Sequence, residues 1–148
     1  MSARSIQLAD AVVALLNGHA FSQAFVAVRA WRPVTDLKSV TALQVHVLPT
    51  ALETSQASRT RVQDAQQIDV EILRKVEQPD DLPALDAMVA LAEEIGDFLR
   101  QNPPVVAPAA RALGFELFPG NGHLAPKLLD ELHLFGSVVR LSYASFHS

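Results

Sequence analysis

Along this chain apolar residues alternate with polar ones at a period of two in several runs and recur at helical spacing in two others. Leu8, Ala9, Val12, Leu15 and Leu16 share one face of a helix. Ser5 is placed to cap it, and Asn17-Gly18 to end it with Gly18 in the left-handed conformation. Strand patterns follow at Ala24–Trp31 and Leu43–Leu48, the second closed by Pro49. In Gln67–Lys75, Ile68, Val70 and Ile72 alternate with Asp69, Glu71 and Leu73, the pattern of a half-buried strand. Asp80 or Asp81 then caps a second helix with Pro83 in its first turn, and Leu85, Met88, Val89, Ala92, Ile95 and Leu99 form its apolar stripe. Asn102-Pro103-Pro104 breaks that helix. Gly114–Phe118 reads as a short strand and Phe135–Ala144 as a last, longer one.

The order helix, three strands, helix, two strands predicts one α+β domain over residues 1–148. The expected architecture is a largely antiparallel sheet of four or five strands with both helices on one face. One segment does not fit that frame. Thr50–Gln66 is polar, contains no Gly or Pro, and is too long for a hairpin turn. The expectation is a long, mobile arm between the second and third strands, ordered only against a partner.

Composition narrows the classes. Apolar residues make up 49% of the 148 and charged residues 19%, which excludes a disordered chain. No apolar run reaches the roughly 18–20 residues of a membrane span. The first residues read as a helix and not an export signal, because Asp10 interrupts the apolar stretch. There is no cysteine, so disulfides and thiolate chemistry are excluded, in keeping with a reducing cytoplasm. A net charge of −4 with scattered basic residues argues against binding driven by phosphate neutralisation.

Candidate chemistry is sparse. The five histidines form no HExxH pair. Asp130-Glu131-Leu132-His133 lacks the further ligands of a metal site and reads as a polar turn. Glu93, Glu94 and Asp97 lie on the polar face of the second helix, Pro119–Gly122 lacks a phosphate-loop lysine, and no G-x-S-x-G elbow surrounds a serine. The sequence therefore predicts no enzyme and no cofactor. Contact residues are easier to nominate. Trp31 and Arg32 suit either an interface anchor or a cap over the edge of the core. Arg59 and Arg61, inside the arm, suit either a partner's acidic group or a solvated loop. Leu91 and Phe98 flank the second helix's stripe, and either widen its buried face or meet a neighbouring subunit.

Four stretches together resemble the tail terminator and tail-completion (neck) proteins of tailed bacteriophages: SIQLADAVVALLN, the pair ALQVHVLP and QQIDVEILRKV, LDAMVALAEEIGDFL, and LFGSVVRLSYAS. The resemblance lies in the order of elements across nearly the whole chain. It implies a structural virion protein, assembled in the host cytoplasm, forming a homo-hexameric ring at the head-proximal end of the tail tube. Its implied partners are further copies of itself, the tail tube protein and the head–tail connector, with DNA passing through the lumen unread. Another neck protein, a connector or stopper, and a small non-viral α+β binding domain are the alternative readings.

Overall fold

The computed structural model describes residues 3–32, 36–78, 80–117 and 133–147. Its elements run in the order α1 (Arg4–Asn17), β1 (Ala27–Arg29), a 3-10 turn (Leu37–Ser39), β2 (Gln44–Gln56), β3 (Val62–Lys75), α2 (Leu82–Gln101), β4 (Ala110–Leu117) and β5 (Leu134–His147). The strands form one five-stranded sheet in the order β1-β2-β3-β5-β4. Pro119–Gly122 and the 130–132 part of the acidic cluster lie outside the described residues.

The sheet is mixed. β2, β3, β5 and β4 pair antiparallel, as the alternating patterns imply, but β1 runs parallel to β2. The segment between β1 and β2 is long enough to cross over and bring the chain back in the same direction. β1 is also shorter than its alternating pattern. Only Ala27–Arg29 pairs, opposite Val45–Val47. Its start is set by α1: the Asn17 side chain accepts from Ala27 N (2.7 Å) and donates to Ala27 O (3.1 Å), standing in for a missing strand neighbour.

The largest departure is the predicted arm. Pro49 does not end β2, because it falls at a bulge between Pro49 and Ala51, where a missing N–H is tolerated. Thr50 there donates its hydroxyl to Gln67 O at 3.1 Å. β2 continues to Gln56 and β3 begins at Val62, so most of Thr50–Gln66 is hairpin strand. Polar side chains hid these strands because backbone pairing on both sides of β3, and not apolar burial, holds them.

The core lies between the sheet and the helices. Val45, Val47, Ile68, Val70, Ile72, Val139, Leu141 and Tyr143 project to one face and join Leu8, Val12 and Leu16 of α1 and Met88, Leu91, Ile95 and Leu99 of α2 in one buried cluster. α1 packs over β1 and β2, and α2 over β4 and β5. Leu48, Leu73 and Leu134 are buried on the opposite face, outside that cluster. There, too, Arg140 grips Asp69 across the strands through two hydrogen bonds of 2.9 and 3.1 Å. Hydrogen bonding to Asp69 raises the Arg140 pKa, against the opposing effect of burial, and the charges of Asp69 and Glu116 add to the rise.

Helix ends differ in detail from the sequence reading. Asp81 caps α2, accepting from Ala84 N at 3.2 Å. α1 begins one residue before Ser5, with Ala3 as N-cap and no side-chain cap. Gly18 is right-handed (φ −89°), and its use is closeness: a Cβ there would lie 3.2 Å from Ala14 O.

Gly96 makes a tighter approach. A Cβ on it would sit 2.6 Å from the Phe115 ring, so α2 rests on β4 at this glycine. Gly96→Ala gains about 1 kcal/mol of helix propensity but meets an overpacking cost of about 1–3 kcal/mol. The expected outcome in urea unfolding is net destabilisation of the wild-type background and stabilisation in a Phe115→Ala background.

Candidate functional site

The surface offers three unlike features: the β2–β3 hairpin and the two edges of the sheet. The hairpin turn closes through Ala57 N and Ser58 N, both donating to Arg61 O (3.0 and 3.1 Å), with Arg61 N donating to Ser58 Oγ. The Gln56 side-chain amide donates to Ser58 O. Every residue from Thr50 to Arg61 is exposed. The two arginines nominated from sequence are not equivalent here. Arg61 lies over the Phe146 ring of β5, 5.5 Å from its centroid. Arg59 stands at the turn and forms no ion pair with a described residue.

The hairpin is tied down two pairs from its turn, where Thr54 stands opposite Asp64. Asp64 of β3 is fully buried, accepting from Arg4 Nε at 2.6 Å and from the Thr54 hydroxyl at 2.8 Å, with His147 Nε2 at 3.3 Å. Four elements meet at one carboxylate. Burial alone would raise its pKa, but hydrogen bonds from Thr54, Arg4 and His147, with the Arg4 charge, outweigh it and hold the carboxyl below its ordinary value. Nothing in the sequence pattern marked this residue, since an aspartate in a polar stretch reads as solvated.

The β1 edge exposes Val26, Val28 and Trp31. Trp31 is 67% exposed, so it does not cap the core. The Arg29 guanidinium stacks 5.1 Å from its ring centroid and also bonds Asp10 at 2.9 Å, and Arg32 is exposed beside it. Sequence reasoning picked Trp31 and Arg32 but missed Arg29, Val26 and Val28. At the other edge, a bulge between Ala112 and Gly114 turns Leu113 outward, 67% exposed. A one-residue bulge leaves no periodic signal in so short a strand.

The remaining two nominees differ in burial. Leu91 is wholly buried in the core, with no side-chain surface left for a neighbour. Phe98 is half-buried in an aromatic group, with His19 stacked at 4.2 Å and Phe21 edge-on at 5.3 Å. Of the acidic residues on α2, Glu94 accepts from Ser22 N at 2.9 Å, while Glu93 and Asp97 are exposed. Among the described residues no group of three or more His, Asp and Glu is placed to hold a metal, and no helix is long and apolar enough to cross a membrane. An open cleft of about 1090 Å³ lies between the start of β2, the end of β3 and α2, with Met88 and Val76 inside and Gln23, Arg74, Lys75 and Asp81 around it. Gln23 and Arg74 bond each other across it at 2.6 Å. No protein-family model matches this sequence, and no curated protein matches it.

Replacing Leu91 by Ala should lower the stability of the protein by about 2–5 kcal/mol, the range for a core leucine, as read by denaturant unfolding. Asp64→Asn should cost about 1–3 kcal/mol at neutral pH, because it removes the charge that satisfies Arg4. The lowered carboxyl pKa also sets a pH dependence. The unfolded carboxyl titrates near its ordinary value of 3.8, so the clamp contributes its full stability above that value and loses it as pH falls through the lower folded value. Unfolding midpoints against pH should therefore fall less steeply at the acid end in Asp64→Asn than in the wild type.

Proposed function

We propose that this chain is the subunit of a closed ring at the head-proximal end of a bacteriophage tail tube, where it ends tube growth and receives the head connector. The observation that carries the ring is the pair of dissimilar apolar edges at opposite ends of one sheet. Val28 in β1 with Val26 and Trp31 beside it stands at one end, and Leu113 marks β4 at the other. A head-to-tail interface needs two different patches that fit each other, and such an interface closes into a ring when the rotation per subunit allows. The grouping of Val26, Val28 and Trp31 at the β1 edge suits that use.

The virion assignment rests on the resemblance in the order of elements, and the fold supports it by carrying that order: helix, three strands, helix, two strands. The hairpin supplies the axial contact. It is exposed along Thr50–Arg61, it is pinned close to the turn through Asp64, and Arg59 stands at its turn. A preformed hairpin meets the tail tube or connector with less ordering cost than a free arm. DNA crosses the lumen without sequence readout, as suits a chain of net charge −4.

The cleft at the β2–β3 base favours a second reading, a monomeric binding domain, since its volume suits a small ligand. Mass separates the two. The ring reading expects a discrete hexamer, or a monomer that becomes one on meeting tail tubes, and Trp31→Asp should leave a folded subunit that no longer assembles. Arg59→Glu with Arg61→Glu should keep the ring while reducing its attachment to tubes at least tenfold. A monomer at every concentration, with or without tubes, would overturn the reading.

A further inference from the structure

Beside the Asp64 clamp, on the helix side of the sheet, a cavity of about 10 Å³ lies between α1, β3, β5 and the segment before β4. Gln66 and Ser145 line it, with Arg4, Gln7, Leu8 and Pro108. Gln66 is 6% exposed and Ser145 2%. Gln66 Oε1 and Ser145 Oγ have no hydrogen-bond partner among the described residues. Orphaned polar atoms this deeply buried are rare, and two lining one cavity call for a shared partner.

Strand register says what size that partner is. Gln66 pairs with Tyr143, and Ser145 with Asp64, so Gln66 and Ser145 are diagonal neighbours on one face. Diagonal positions are about 7–8 Å apart, and in the structure Gln66 Oε1 and Ser145 Oγ do not bond each other, leaving a gap that one inserted molecule closes. The cavity holds about one probe sphere, the lower limit for a water. Its wall includes the Arg4 side chain, which disfavours a cation, and the space is too small for a polyatomic anion. We propose that this cavity is the site of one structural water, donating to Gln66 Oε1 and accepting from the Ser145 hydroxyl. The water extends the Asp64 clamp along the inner face of the sheet, so that α1, β3 and β5 are joined by a charged contact and a neutral one side by side.

A crystal structure of the full chain, at a resolution where ordered waters are seen, tests this. The expected result is a single solvent peak at about 2.7–3.0 Å from both Gln66 Oε1 and Ser145 Oγ. In Ser145→Val, whose branch occupies the space, that peak should vanish while the Arg4–Asp64 pair persists. An empty cavity in the wild type, or a Gln66 amide turned to bond Ser145 directly, would overturn the assignment.

Discussion

Double-sided pairing of β3 is the constraint on which the rest of the molecule depends. Each residue from Val62 to Lys75 has a partner on β5, and nearly all have one on β2 as well. The backbone donors and acceptors of this strand are thus satisfied by its neighbours, which leaves its side chains free to vary in polarity along its length. In its second half Ile68, Val70 and Ile72 face the helices; in its first half Asp64 and Gln66 take the same face. A slip of one residue would drive Asp69 and Glu71 into the core and expose all three β-branched residues. Register and core are therefore one constraint.

Where the inward face turns polar, a different kind of contact takes over. Asp64 replaces an apolar residue at a position with no access to water, and it is tolerated because Arg4, Thr54 and His147 converge on it. That convergence fixes the start of α1 against the far half of the hairpin. The hairpin leaves the body as a supported ribbon, with β5 along one side as far as His147 and Phe146 beneath Arg61. The turn is exposed while the strands just behind it are held, so the hairpin keeps little conformational freedom.

How much of this was legible in the sequence varied with the kind of force involved. Both helices, the Asp81 cap, the proline break at Asn102 and the Ile68–Ile72 core face follow from periodicity and local backbone chemistry, which act within a few residues. The extension of β2 and β3 through Thr50–Gln66 did not, because its cause is pairing with β5, far along the chain (Gln66 with Tyr143, for example). Pro49 compounded the misreading, since a proline that normally stops a strand is absorbed here by a bulge. Among contact residues, Trp31 and Arg32 were visible by type, whereas Leu113 and Asp64 acquire their roles only from a bulge and a four-element junction. Leu91 was open to two readings because helical spacing alone cannot tell a wide buried face from an interface.

Amide hydrogen exchange on the isolated protein separates a preformed hairpin from a mobile arm. If pairing with β2 and β5 holds the hairpin in the isolated protein, amides of residues 62–67 should be protected to a degree comparable with those of Ile68–Ile72, while residues 57–61 exchange quickly. Exchange across residues 62–67 at the rate of an unstructured chain, with Ile68–Ile72 still protected, would contradict it and return the segment to a mobile arm.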